Sequence, residues 1–314
     1  MSGKKLSVVV PCFNEAQVLP AFYKKITKVL EGLTVNEGLQ TELIFVDDGS
    51  GDQTAERIKV FHQERPDRVG YIIFSRNFGK EAAMVAGMKK ASGDYVAVMD
   101  ADLQDPPEML AAMYARIGQG GCDCVAARRV SRTGEPRLRS FLARGFYKLV
   151  NRISKTEIVD GARDFRMMTR RMADAILKVK EYNRFSKGIF SWVGFQTVWL
   201  PYENCARAAG KSKWSLKKLF IYSLDGIVSY STIPLSFASF AGLFFCLVAF
   251  ILICVIIAKT LIWGDPVAGY PSMICVIFFI GGLQLFCMGI LGQYLAKVYL
   301  EVKGRPLYIV KEDS

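Results

Sequence analysis

The stretch MDADLQDPPE, residues 99 to 108, sets three aspartates, a glutamine and a glutamate directly after the apolar run YVAV. In an extended segment side chains two apart point to the same side, so Asp100, Asp102 and Gln104 would offer two carboxylates and an amide oxygen to one point. Oxygen ligands of this kind suit a hard divalent cation, Mg2+ or Mn2+, whose shell is often completed by substrate phosphates. Asp105 stands before Pro106, Pro107 and Glu108, the pattern of a helix start, and reads as a cap. The single histidine, His62, lies in a polar helical segment and reads as a surface residue. A Ser-His-Asp triad and a His-rich metal site are thereby excluded, and any acid–base work falls to a carboxylate. Two basic clusters provide the opposite charge. Arg128, Arg129 and Arg132 follow a strand in RRVSR, and Arg207, Lys211 and Lys213 surround a glycine in RAAGKSKW. Both suit contacts to phosphate.

The elements that must position these groups alternate regularly. LSVVVP, TELIFVDD, VGYIIFS, YVAVMD and CDCVAARR read as strands, separated by helices at 15–30, 52–63, 78–91 and 106–117. Continuous apolar strands between amphipathic helices imply a mostly parallel sheet covered on both faces, an α/β fold. Ligands of such sheets bind beyond the carboxyl ends of the strands. PCFNE, DDGSGDQT, SRNFGK and DADLQD all follow strands and should converge on one crevice. Past residue 130 the pattern loosens. Segments 137–154 and 215–230 mix Lys or Arg with Phe, Tyr, Leu and Ile at helical spacing. The second leads straight into an apolar run and reads as an interfacial helix. The first reads either so or as a soluble core helix.

The chain has 314 residues, 51% of them hydrophobic, and a net charge of +12. The apolar surplus is concentrated in Ile233 to Ala258 and Pro271 to Ala296, neither of which contains a charged residue. Each exceeds the roughly 20 residues that span a bilayer as a helix, so two transmembrane helices are expected. Lysines and arginines flank the pair on its outer sides, whereas the connection holds only Lys259 and Asp265, which puts both termini in the cytosol and the connection outside. The N-terminus lacks a signal-peptide pattern. The basic balance suits anionic headgroups. Nothing resembles a nucleic-acid-binding motif, so no nucleic-acid partner is expected. Four of the eight cysteines lie in the apolar runs, and the pattern reads as unpaired thiols in a reducing compartment.

Taken together, VVVPCFNE, VDDGSGDQT, SRNFGKEAAMVAG, MDADLQDPPE, DFRMMTRR, FSKGIFSWVGF and RAAGKSKW resemble, in order and nearly end to end, the family-two glycosyltransferases of the GT-A fold. The likeness is to the polyisoprenyl-phosphate glycosyltransferases. The apolar runs and the tail YLEVKGRPLYI look more like bactoprenol glucosyltransferases than dolichol-phosphate mannose synthases. The resemblance implies an inverting, metal-dependent transfer of a hexose, glucose favoured, from a UDP-sugar to undecaprenyl phosphate for cell-envelope glycan modification. Galactose, N-acetylglucosamine, mannose or an aminoarabinose derivative remain open. It implies that Pro11, Asn14, Glu15, Asp47, Asp48 and Asn77 form the nucleotide-sugar pocket together with Asp100. Asp100, Asp102 and Gln104 would hold Mg2+ or Mn2+ on the diphosphate, and Asp164 would lie by the sugar. Arg207 and Lys213 would close over the diphosphate. Arg128, Arg129, Arg132 and Arg144 are candidates for the acceptor phosphate, with Arg128 and Arg129 undecided between them.

The implied organisation is a cytosolic GT-A domain at 1–214, an interfacial helix at 215–231, transmembrane helices at 232–258 and 271–297 joined by an external loop, and a cytosolic tail at 298–314. The protein is expected as a multi-pass protein of the inner membrane, a homo-oligomer and by resemblance a tetramer, with membrane lipids as further partners. A processive polysaccharide synthase would need more spans and a Q-x-x-R-W segment, and neither is present. A non-catalytic nucleotide-sugar-binding scaffold is the alternative outside enzymes, and metal-dependent turnover separates the two. A transporter finds no substrate path in spans whose notable polar residues are Gln284 and Gln293.

Overall fold

The computed structural model describes residues 3–129, 162–202, 233–263 and 269–314. Segments 137–154 and 215–231, and with them Arg132, Arg144, Arg207, Lys211 and Lys213, lie outside the described residues. The first third alternates as its apolar periods demand. Strand β1 (Lys5–Cys12) leads to α1 (Leu19–Glu37), β2 (Gln40–Asp47) to α2 (Thr54–Glu64), β3 (Val69–Phe74) to α3 (Lys80–Lys90), and β4 (Tyr95–Val98) to α4 (Met109–Gly118). Leu19, Phe22, Ile26, Leu30 and Leu33 recur every three or four residues along α1 and are all buried, which fixes the face it turns to the sheet. The helix begins at Leu19, not Glu15. Pro20 sits in its first turn, where a missing N–H costs nothing.

After β5 (Cys124–Arg129) come β6 (Ala162–Thr169), α5 (Arg170–Lys178), α6 (Ser186–Trp192) and β7 (Thr197–Tyr202). Two long helices follow, α7 (Ile233–Trp263) and α8 (Tyr270–Val302), and the chain closes with β8 (Val310–Asp313). One eight-stranded sheet results, in the order β7-β5-β6-β4-β1-β2-β3-β8. The β1, β2, β3 and β4 strands pair in parallel, as do β5 and β7, whereas β6 is antiparallel to both β4 and β5, and β8 is antiparallel to β3. The sheet is therefore largely parallel, and it carries a separate apolar core on each face.

Strand β6 inverts the local polarity, and that places the site. Val98 at the end of β4 pairs with Arg166, and Arg128 near the end of β5 pairs with Ala162. The start of β6 thus lies at the edge where the parallel strands end. Strand β8 closes the opposite side of the sheet. Glu312 bonds to Lys59 and Tyr71, the Ser314 N–H donates to the Tyr71 carbonyl at 3.2 Å, and Tyr308 stacks on Phe74 with ring centroids 4.9 Å apart.

Among the described residues one helix is long and apolar enough to cross a membrane, Val276–Val302 within α8. The expectation of two transmembrane helices is corrected to one, and the multi-pass topology falls with it; the apolar helix supports a single-pass or peripheral association with the membrane. The physical reason is that an uncharged run establishes a helix without establishing what covers it. Part of α7 packs along α8, with Ala238 buried, the Cys287 thiol 3.8 Å from the Ala238 carbonyl and Phe245 edge-on to Phe279 at 5.2 Å. The candidate span also lies further along than 271–297, running on past Lys297 and Glu301.

Candidate active site

The loops at the carboxyl ends of β1, β2, β3 and β4 meet at one edge, as the alternation predicted. Asn14 is their hub. Its backbone is left-handed at φ 52°, its amide N–H donates to Ser50 Oγ at 2.9 Å and its Oδ1 accepts the Gly51 N–H at 2.9 Å. The Glu15 N–H donates to Thr54 Oγ1 at 2.9 Å, and the Ala16 N–H donates to Asp52. Asn14 and Glu15 therefore stand against the turn after β2, within DDGSGDQT, and Pro11 pairs with Val46 near the end of β2.

Asp47 and Asp48, expected in the nucleotide pocket, are buried and engaged with backbone. Asp47 accepts from the Ser50 N–H at 3.2 Å and the Ser50 hydroxyl at 2.5 Å, closing the turn. Asp48, 3% exposed, accepts the N–H groups of Phe78 (2.6 Å) and Gly79 (2.9 Å). Burial raises both carboxyls, and the hydrogen bonds oppose that shift. Asp48 thereby clamps the loop that carries the exposed Asn77. Between the two turns Gly49 adopts φ +65°, and a Cβ there would lie 2.3 Å from the carbonyl carbon of Arg76. Gly49→Ala is expected to lower the melting temperature by several degrees, since the left-handed backbone alone costs about 1–2 kcal/mol. A thermal melt within about 1 °C of the parent would show that these loops do not approach as closely as described.

The acidic turn departs from the extended geometry that its spacing suggested. Strand β4 ends at Val98, and residues 101–105 form turns and bends in which Leu103 takes φ 58°. Asp102 is 8% exposed, and its Oδ1 accepts the Gln104 N–H at 3.1 Å. The Gln104 Oε1 accepts from Arg163 Nη2 at 3.2 Å. Asp105 is no helix cap. Helix α4 starts at Met109 after Glu108 and has no side-chain cap. Asp105, 1% exposed, accepts from Arg163 Nε at 3.1 Å and from the Tyr202 hydroxyl. Burial raises its pKa against the Arg163 charge, and burial followed by the Asp105 charge raises that of Tyr202.

Asp100 and Asp164 converge on one ammonium. Lys80 Nζ lies 2.6 and 2.9 Å from the two carboxylate oxygens of Asp100 and 2.5 Å from Asp164 Oδ2. Burial alone would lower the Lys80 pKa, but the charges of Asp100 and Asp164 outweigh it and raise the lysine well above its usual range. Burial alone would raise Asp164; Lys80 and then Lys187 outweigh it and hold the carboxylate far below the usual range. Arg166, 2% exposed, lies 3.5 Å from the ring centroid of Phe190 and donates from Nη2 to the Arg163 carbonyl at 2.9 Å, bracing the start of β6. Glu81 accepts the Ser186 N–H at 3.0 Å and so ties α3 to α6.

Arg128 is exposed and Arg129 half-buried at the end of β5. Successive strand residues point to opposite faces. Arg129 pairs with Tyr202 and its charge lowers the Tyr202 pKa, which assigns it to the face of Asp105 and Arg163. Lys80, Arg163, Arg166 and Tyr202 were not singled out from the sequence. Lys80 stood in the quoted SRNFGKEAA and Arg163 directly before DFR, but no spacing links either to the acidic turn.

Among the described residues no group of three or more His, Cys, Asp or Glu side chains gathers that could hold a metal ion. Asp100 nevertheless already holds a cation, the Lys80 ammonium, which lies between oxygens of Asp100 and Asp164. Mg2+ in particular is commonly held by one or two carboxylates plus substrate phosphates, so a full protein cage is not required.

The family Glycosyl transferase family 2 matches residues 7–177. The chain is 42% identical over 309 residues, 98% of each chain, to the SfII prophage-derived bactoprenol glucosyl transferase of Shigella flexneri. It is 42% identical to the bactoprenol glucosyl transferase of Shigella phage SfV, over 99% of each chain. A prophage bactoprenol glucosyl transferase homolog of Escherichia coli (strain K12) is 41% identical over 98% of both chains.

Proposed function

Because the chain belongs to glycosyl transferase family 2, among polyisoprenyl-phosphate glycosyltransferases closely related to the bactoprenol enzymes, we propose that it transfers glucose from UDP-glucose to undecaprenyl phosphate. The observation that carries this reading is the near full-length similarity to bactoprenol glucosyl transferases in a chain whose acidic turn, Asn14 network and Arg129 share one sheet edge. A phosphate oxygen of the acceptor attacks the anomeric carbon, the bond from that carbon to UDP breaks, and a single displacement inverts the centre. The acceptor's second pKa is near ~6, so at neutral pH it is largely ionised and needs no strong base. Asp164, held ionised beside Lys80, is correspondingly a weak base; it orients the sugar and opposes the positive charge that develops on it.

Asp100 and Asp102 would hold Mg2+ or Mn2+, which supplies charge stabilisation to the departing diphosphate. Arg207 and Lys213 add positive charge over the same diphosphate, and Pro11, Asn14, Glu15 and Asn77 face the nucleoside. Asp47 and Asp48 act on that pocket by fixing its loops. Arg129, with Arg132 and Arg144, meets the acceptor phosphate. The catalytic unit is residues 1–214, and by resemblance the assembly is a homo-oligomer.

The test is a donor panel with purified protein, undecaprenyl phosphate and Mn2+ or Mg2+, with lipid products read by mass. Glucosyl phosphoundecaprenol from UDP-glucose is expected; a lipid product only from another donor would replace the sugar, and no lipid product would remove the reading. The two sides of the crevice separate kinetically. Asp100→Ala is expected to weaken donor binding, and Arg129→Ala to raise mainly the apparent KM for lipid phosphate. The same defect in both titrations would refute that division.

A further inference from the structure

The ammonium between Asp100 and Asp164 has a role beyond charge balance. Lys80 is the first residue of α3, where the helix dipole disfavours a cation. Its backbone cannot drift, because Asp48 holds the N–H groups of Phe78 and Gly79 immediately before it. Only the side chain is free to respond, and it reaches two carboxylates that lie 64 residues apart in sequence, on the turn after β4 and on β6. Without that ammonium two negative groups would face each other across the crevice and repel. The four-carbon stem of lysine can release one partner and keep the other.

We propose that Lys80 is a positioning residue that occupies the cation point of the donor site, holding Asp100 and Asp164 together and competing with a divalent cation for Asp100. This inference rests on the proposed donor site and adds a member to it. Asp100 cannot bind a divalent cation fully while both its oxygens lie within 3 Å of Lys80. Cation binding alone is therefore held weak until the donor's diphosphate offers the ammonium another anion. Asp164 is expected to keep its place throughout because Lys80 stays beside it.

The two functions of Lys80 pull in opposite directions, which makes them separable. In Lys80→Met, Mn2+ added without nucleotide is expected to bind about tenfold more tightly than to the parent, because a competing charge at the ligand is gone. Glucose transfer by the same variant is expected to fall by about a hundredfold, because Asp164 loses its partner. Lys80→Arg keeps the charge and is expected to restore weak Mn2+ binding. Mn2+ affinity is read by electron paramagnetic resonance on the full chain, folding is checked by circular dichroism, and Lys80→Gln serves the same comparison should the methionine variant not fold. Mn2+ binding equal to or weaker than that of the parent in a folded uncharged variant overturns the proposal. If the affinity rises as expected but the parent transfers no glucose, the competition stands and the proposed function is what fails.

Discussion

Replacing Asp102 with asparagine is expected to reduce transfer by about 10²–10³ while leaving the fold intact, the loss typical of removing one preorganised charge from a transition-state site. The two side chains have nearly the same shape. Asparagine keeps an Oδ1 that can accept the Gln104 N–H, so that bond is retained while the negative charge is lost. Asp102 is nearly buried, and its charge is therefore poorly replaced by water. The rate is measured with UDP-glucose and undecaprenyl phosphate across a series of Mn2+ concentrations, alongside a thermal melt. Partial recovery at high Mn2+ is expected, because a weakened ligand set is filled by mass action. Near-parental turnover at unchanged Mn2+ would sink the assignment of Asp102 to the cation.

Asp105→Ala separates a cap from a buried ion pair by size of effect. A lost helix cap costs about 1 kcal/mol. Asp105 instead receives both Arg163 Nε and the Tyr202 hydroxyl at a position 1% exposed, and its removal leaves Arg163 without that partner in a mostly buried setting. Breaking such a pair by deleting one side costs about 3–5 kcal/mol. Urea unfolding is expected to show a loss of at least about 3 kcal/mol, together with reduced transfer, since Arg163 adjoins Asp164. A loss near 1 kcal/mol would return Asp105 to the role its Pro-Pro-Glu context suggested.

The alternation of apolar strands and amphipathic helices was legible because it is local. Each strand declares itself within about six residues, and parallel pairing brings the following loops to one edge. Asn14, Asp47, Asp48 and the acidic turn were found together on that basis. The shape of the acidic turn was not, because its spacing suggested an extended chain where Leu103 is left-handed and Gln104 is bonded to Arg163. The membrane expectation failed for a related reason: an uncharged run establishes a helix without establishing that it crosses a bilayer, and among the described residues one helix has the length and hydropathy to do so.

What the sequence determined by itself is thus the α/β alternation, the edge of the sheet that carries the polar loops and, through seven motifs in order, the family. Each of these depends on residue type and short spacing. The tertiary structure alone decided that β6 enters antiparallel between β4 and β5, that Asp164 meets Asp100 across the Lys80 ammonium, and that β8 closes the sheet beside β3. Those contacts join residues dozens to hundreds of positions apart. Their register is set by which apolar faces can be buried together, a condition on the whole sheet that no short stretch expresses.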